Sequence, residues 1–374
     1  MKVPPFRLER YFAEHEFNAP FLLCCSDCES LTVKELLALE PGAMEGLQDL
    51  WLGYTESQGG AALRQRIAGL YNTISPEDIL VHAGAEEAIF NFMNVTLERG
   101  DHVIVHAPCY QSLSDVAASI GCQVTEWKAS RERDWELDLD VLRKNLKPHT
   151  KAVIINCPHN PTGYLMDRET FQELVRLSRE HGFIIFSDEV YRGLEYLESD
   201  RLPALCDVDE RGVSLGVMSK SFGLAGLRIG WIATRNADLR RKMAAFKDYT
   251  TICSSAPSEY LATVALKHAD FLISRNLRII GGNLQLLDAF FERNGTLFRW
   301  VPPKAGPLAF PGLSDAVNVE AFCRDVLQKA GVLLLPGTIF GKEYNHFRIG
   351  FGRANLPECI EKFEDYLNRY RPRG

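Results

Sequence analysis

The stretch Val217-Met-Ser-Lys220-Ser-Phe-Gly-Leu-Ala-Gly-Leu-Arg228-Ile-Gly230 decides how the rest of the chain is read. A hydrophobic run through Val213, Leu215 and Val217 leads into it and reads as a buried strand. One lysine follows among small residues, then a glycine-punctuated turn and one arginine. Ile229-Gly-Trp-Ile-Ala233 then reads as a second strand. A lysine at the end of a core strand is costly unless it is paired or neutral. Loss of hydration lowers its pKa and makes it a nucleophile, as Schiff-base chemistry requires. An arginine on a glycine-rich turn offers a fixed cationic fork to a phosphate. Lysine and phosphate binder together point to pyridoxal 5'-phosphate (PLP). A surface loop with routine basic residues is the alternative that this stretch alone leaves open.

Working outward, strands and helices alternate with short links. Ile79-Leu-Val-His82 reads as a strand, and Ala83-Gly84-Ala85-Glu86-Glu87 opens a helix running to about Glu98. Small residues at a helix start free the amides for an anion, assisted by the helix dipole, although every helix has a start. The strand Val103–His106 ends in Ala107-Pro-Cys-Tyr110, where the tyrosine could stack on a flat ring or pack in the core. Gly121–Trp127 reads as a strand and Leu137–Leu146 as a helix. The buried strand Lys151–Asn156 runs into Cys157-Pro-His-Asn160-Pro-Thr-Gly163, a rigid turn that presents the Asn160 amide. Asp167 caps a helix to His181-Gly182, and Phe183–Phe186 is a strand closed by Ser187-Asp188-Glu189-Val-Tyr191. The pattern predicts an α/β fold, a mostly parallel sheet of the seven-stranded type covered by helices. Ligands of such sheets sit beyond the carboxyl ends of the strands. Tyr110, Asn160, Asp188 and Lys220 all fall at such ends, which independent packing roles would not produce.

The flanks read as a smaller α+β domain. Arg7–Glu16 looks helical and Leu22–Cys25 like a short strand; Ser30 or Thr32 caps a helix over Val33–Leu39. Gly53-Tyr54 leads to Gly59-Gly60 before a helix containing Leu63 and Arg64, where the glycines allow a close approach of the backbone or simply make a loop. Beyond Lys220, residues 238–249 look helical, and a long helical pattern from Ser258 to about Phe291 is expected to bend near Gly281-Gly282. Phe298–Val301, Leu308–Phe310, Val332–Leu335 and Phe347–Phe351 read as strands, with helices over Val319–Ala330 and 357–369. The expected division is 1–45 contributing to the small domain, 46–274 as the large PLP-binding domain, and 275–374 as the small C-terminal domain.

A formal charge of -7 argues against nucleic acid as the main partner. No apolar run approaches the roughly 18 residues of a membrane span. The N-terminus has no apolar signal core and carries Glu9 and Glu14, so no targeting peptide is expected. Ten cysteines then read as reduced thiols of a cytoplasmic protein. Cys24, Cys25 and Cys28 lack a second pair at zinc-site spacing and read as buried thiols, so no metal is expected.

Asn160-Pro-Thr-Gly163, Asp188-x-x-Tyr191, Ser219-Lys220, Gly226-Leu-Arg228-Ile-Gly230 and Arg348, in this order, resemble the fold-type I PLP-dependent aminotransferases of class I/II. The resemblance spans nearly the whole chain. Lys304–Pro311 and Leu335–Gly341 resemble a group that includes histidinol-phosphate-type aminotransferases and capreomycidine synthase. The resemblance implies a shared set of roles. Lys220 carries the cofactor as a Schiff base and moves the proton. Asp188 pairs with the pyridinium nitrogen, and Tyr191 and Asn160 hydrogen-bond the ring oxygen. Tyr110 stacks on the ring; the amides of Ala85 and Glu86, with Arg228, hold the phosphate; Tyr54 reaches the phosphate of a neighbouring subunit in a homodimer. Arg348 binds the substrate α-carboxylate.

Two departures matter. Val217 stands where many relatives carry a hydroxyl that binds the phosphate, so Ser219 or Ser221 would substitute. Asp27 stands where relatives usually have glycine, so Asp27 or Glu29 would receive a basic substrate group, unless both are turn residues. The implied reaction is transfer of an amino group from an L-amino acid to a keto acid. The alternative is PLP-dependent β-elimination, replacement or cyclisation. A regulator without catalysis fits poorly, because the Lys, Asp, Tyr and Asn set is complete and no DNA-binding segment precedes the fold.

Overall fold

The computed structural model describes residues 2–370; Met1 and residues 371–374, the outer ends of the first and last expected segments, lie outside the described residues. Seven strands form the central sheet in the order Ile79–His82, Gly230–Ala233, Val213–Val217, Ile184–Asp188, Thr150–Asn156, His102–Ala107, Gln123–Lys128. Gly230–Ala233 runs antiparallel to both its neighbours, and the other strand pairs are parallel. The inner strands are almost wholly buried, as expected of apolar runs covered on both faces. The edge strand Gln123–Lys128 is mostly exposed or half-buried, and its Glu126 and Lys128 reach solvent.

The register brings the candidate residues together. Asn156 lies opposite Asp188, and Asp188 opposite Leu215, so neighbouring strands end at one level. The antiparallel strand places Gly230 beside both His82 and Val217. The turn carrying Arg228 therefore returns to the start of the helix Ala85–Thr96.

The outer elements pair across the sequence. Phe21–Leu22 adds in parallel to Val332–Leu333. Phe347–Gly350 lies between Leu308–Ala309 and Leu335–Pro336, antiparallel to both. The Gly350 amide donates to Leu23 O at 3.0 Å, and a Cβ on Gly350 would come 1.7 Å from Cys25 O. Only glycine lets residues 23–28 run this close to the C-terminal strand. The helices Val319–Ala330 and Leu356–Tyr370 cover this side through Phe322, Val326, Phe363 and Leu367.

Three expectations need correction. The strand expected over Leu22–Cys25 is only Phe21–Leu22; beyond it the chain follows Phe347–Gly350 without a regular ladder. The long helical pattern breaks at His268, giving Ala256–Lys267 and Ala269–Arg293, and not at Gly281-Gly282. Leu261, Ala262 and, beyond the break, Ala269 and Leu272 pack in the core of Leu63 and Ile67, whereas Ile280, Leu287 and Phe290 pack with Phe363 and Leu367, so the second helix runs from one core into the other. A Cβ on either glycine would meet no atom within 4 Å; glycine there weakens the helix by about 1 kcal/mol without bending it. Finally, Ser112–Ile120 is a helix that the sequence reading passed over. Among the described residues no helix is long and apolar enough to cross a membrane.

Candidate active site

A cavity of about 410 Å³ opens at the carboxyl ends of the central strands. Lys220 stands in its wall three residues beyond the strand Val213–Val217, and its Nζ donates to Ser26 Oγ at 2.7 Å. Loss of hydration, with help from the Arg348 charge, lowers its pKa below the ordinary lysine value; Asp27, Glu9 and Asp188 oppose that shift. Asp188 ends its strand at 5% exposure and accepts from the Val190 amide. Burial pushes its carboxyl up to about 7. Tyr191 is buried in the same wall and donates to Ser26 O at 3.2 Å. The Asn160 amide N–H donates to Asn156 Oδ1 at 2.7 Å, and Asn156 Nδ2 donates to Asp188 O at 2.9 Å. The turn is thus tied to the neighbouring strand end.

One side of the cavity offers the amides of a helix start and a guanidinium, groups suited to an anion. The helix Ala85–Thr96 starts at Gly84 with no side-chain cap, and Ala85 and Glu86 line the cavity. Glu87, which could have capped that turn, accepts instead from the Ala83 amide and from Thr250 and Thr251. Gly84 has φ +95, a backbone conformation that calls for glycine, and a Cβ there would come 2.6 Å from Arg228 Nη2 at the tip of that flexible side chain. Arg228 itself is left-handed and exposed, with Nη1 donating to Ala225 O. Val217 and Ser219 line this side. Ser221 does not; its hydroxyl donates to Val190 O, leaving Ser219 as the hydroxyl on this side.

The opposite side is closed by chain ends. Arg348 is fully buried, and its Nε and Nη2 donate to Cys24 O at 3.2 and 2.9 Å while Nη1 donates to Asn160 Oδ1 at 3.1 Å. Phe12 lies over the guanidinium, with its ring centre 5.7 Å away. Among the described residues no carboxylate pairs with Arg348. A buried charge bonded only to neutral acceptors is costly until an anion arrives. Tyr110 lines the cavity and donates to Glu9 Oε1 at 2.9 Å. Asp27 also lines it, but its two oxygens accept from Arg353 Nε and Nη2 at 3.0 and 2.8 Å. Glu29 is not in the wall; it accepts from the Ala354 amide. Tyr54 is 85% exposed and lies outside the cavity, in a loop held by a bond from Thr55 Oγ1 to Ser254 O.

Sequence reasoning missed five polar wall residues: Glu9, Glu16, Ser26, Asn156 and Arg353. Glu9, Phe12 and Glu16 share one face of the first helix, a periodicity visible in the sequence, but nothing there says that this face meets the cavity.

The donor set fits PLP. The uncapped helix start beside Arg228 suits a phosphate, Lys220 offers the amine, and the buried Asp188 carboxyl faces the same space. Residues 21–363 match the family model for aminotransferase class I and II. Capreomycidine synthase of Streptomyces vinaceus is 30% identical over 379 residues, covering 100% of this chain and 97% of that protein. The solved structure of a PLP-dependent aminotransferase from Streptococcus suis 89-1591 is 34% identical and superposes with a TM-score of 0.93 over 100% of both chains. That of the PLP-dependent cyclase OrfR is 30% identical, with a TM-score of 0.90 over 99% of this chain and 98% of its own. By fold, cavity and family model, this chain belongs to the aminotransferase class I and II family and is a PLP-dependent aminotransferase.

Proposed function

We propose that this chain moves the amino group of an L-amino acid to a keto acid, with Lys220 as the residue that carries the cofactor and moves the proton. One observation carries the reading: a single cavity holds a lysine short of hydration, a buried carboxyl and a buried guanidinium with no counter-charge. PLP, when bound, supplies a carbonyl that condenses with amines and a ring that withdraws electrons. Lys220 Nζ, with its lowered pKa, is available to accept and return a proton at the substrate carbon. Asp188 would pass its proton to the ring nitrogen and stand beside it as the anionic partner. Asn160 and Tyr191 would bond the ring oxygen, Tyr110 would cover the ring, and Ala85, Glu86, Ser219 and Arg228 would hold the phosphate. Arg348 takes the α-carboxylate and orients the substrate, because that pairing relieves its buried charge.

At the mouth, Glu9, Glu16 and Asp27 face one arginine, Arg353. This excess of carboxylates favours a polar or basic substrate side chain, with Asp27 reaching it through exchange with Arg353. A second reading, elimination or ring closure on an amino acid, draws on the full-length likeness to capreomycidine synthase.

The same proposal includes the division into 1–45, 46–274 and 275–374, supported by the pairing of Phe21–Leu22 with Val332–Leu333. It includes a homodimer, supported by the exposed Trp51, Leu52, Tyr54 and Tyr249, with Tyr54 completing a neighbour's phosphate site. It places the protein in the cytoplasm, in keeping with ten free cysteines. Borohydride reduction of the PLP-loaded protein followed by peptide mapping should label Lys220; a label on another lysine sinks the assignment. An amino-acid panel followed by absorbance, with and without 2-oxoglutarate, separates transfer from elimination or cyclisation, since only transfer needs the acceptor for turnover. A monomer with full activity would contradict the dimer.

A further inference from the structure

We propose that His159 is a positioning residue that sets Tyr110 and Asn160 relative to one another across the cavity. This rests on the reading of the cavity as a PLP site. His159 lies inside the Asn156–Gly163 turn and is 1% exposed. Its Nε2 is 2.8 Å from Pro108 O, and its Nδ1 is 2.7 Å from Thr162 Oγ1. A carbonyl oxygen only accepts, so Nε2 carries the hydrogen. Burial pushes the ring's pKa down to about 3, so the imidazole is neutral and Nδ1 accepts from the Thr162 hydroxyl. Pro108 is two residues before Tyr110, and Thr162 two residues after Asn160. One side chain therefore joins the loop after one strand to the turn after its neighbour.

A second histidine reinforces the link. His106, in the strand that leads to Pro108, stacks on His159 with ring centres 3.8 Å apart and planes 15° from parallel. Burial, and then the repulsion that two protonated rings would feel at this distance, hold its pKa well below the ordinary value, so both stacked rings are neutral. The turn is closed around His159 by backbone bonds from Gly163 N to His159 O and from His159 N to Tyr164 O. Asn160 is then held from the other side by Asn156 and Arg348. His159 is not itself one of the residues that line the cavity, so it acts through Asn160 and Tyr110.

The test uses the PLP-loaded enzyme. His159→Phe keeps a flat ring on His106 and removes both hydrogen bonds, whereas His159→Gln restores a donor to Pro108 O. We expect His159→Phe to retain PLP but move the pH midpoint of the cofactor's visible band upward by about one pH unit, because Asn160 then bonds the ring oxygen less well. Its kcat/KM for amino acids should fall by about tenfold to a hundredfold, as for a misplacement of an ångström or less. His159→Gln should recover most of both. An unmoved midpoint and an unchanged kcat/KM in a natively folded His159→Phe would overturn the proposal and leave His159 as core packing. If His159→Phe does not fold, Thr162→Val removes the other bond and decides the matter: a shift of the same sign supports the proposal, and no shift overturns it. Failure of the PLP reading itself would show already in the wild type, which would then have no visible band for a variant to move.

Discussion

At the floor of the cavity, Asp188, Tyr191 and Asn160 follow the ends of adjacent strands and are buried, and Asn156 ties the two strand ends through Asp188 O and the Asn160 amide. At the mouth, Glu9 and Glu16 come from the first helix, Asp27 from the stretch after Phe21–Leu22, and Arg353 from the turn after Phe347–Gly350; all four are half-buried. The floor perturbs its ionisable groups strongly through lost hydration, as the Asp188 carboxyl shows. The mouth leaves its charges near water, where one bidentate ion pair does most of the ordering. A group that stays bound through every turnover profits from a rigid, dry floor. Substrates that enter and leave profit from a wet rim whose pairs exchange at low cost.

The largest effect should come from the centre of the floor. Lys220→Ala should keep the fold and lower kcat by at least about 10²–10⁴-fold, the scale of a lost acid–base group, measured as loss of keto-acid formation at saturating substrate. A variant that still turns over at near wild-type rate would remove the lysine from the mechanism.

Asp188→Asn comes next. It should bind PLP yet lose about 10²–10³-fold in kcat, because an amide cannot hold the ring nitrogen protonated. The same change should stabilise the cofactor-free protein at pH 8. The carboxyl's folded-state pKa of about 7 lies above its ordinary 3.8. Its contribution to stability is therefore complete below about pH 4 and is lost as pH rises through 7. An asparagine imitates the protonated form at every pH. The variant's Tm should exceed that of the wild type by several degrees at pH 8, and the gap should close toward pH 4. A gap that widens on acidification would reverse the sign assigned to this carboxyl.

Arg348→Lys sharpens the comparison at the boundary between floor and mouth. Losing a bidentate partner in a dry site should cost about 2–4 kcal/mol in kcat/KM for amino acids. An amine lacking the carboxylate is the control, and wild type and variant should handle it about equally. Equal losses on both substrates would mean that Arg348 supports the wall without reading the carboxylate.

The mouth should respond least. The double change Glu9→Gln and Glu16→Gln should lower the ratio of ornithine to alanine turnover by about threefold to fivefold, the scale of a half-exposed ion pair. Asp27→Asn, which frees Arg353, should change stability by no more than about 1 kcal/mol. If the double change leaves the ratio unmoved, the mouth does not choose the side chain.

The sequence by itself determined the strand–helix alternation, the parallel sheet and the four strand-end positions Tyr110, Asn160, Asp188 and Lys220. Each of these rests on local physics: apolar period, turn residues and a polar group placed just past a buried run. The place of Ala85 and Arg228 at the cavity was legible for the same reason, as glycines beside a helix start and a lone arginine on a turn. Only the tertiary structure decided what closes the cavity. Ser26 meets Lys220 across 194 residues, Glu9 meets Tyr110 across 101, and Asp27 meets Arg353 across 326. Tertiary packing also chose Ser219 over Ser221 and turned Glu29 away toward Ala354. A side chain's local pattern says which face is polar but not what that face will meet. Long-range partners depend on strand pairing and core packing, which sum over the whole chain and leave no mark at the residue itself.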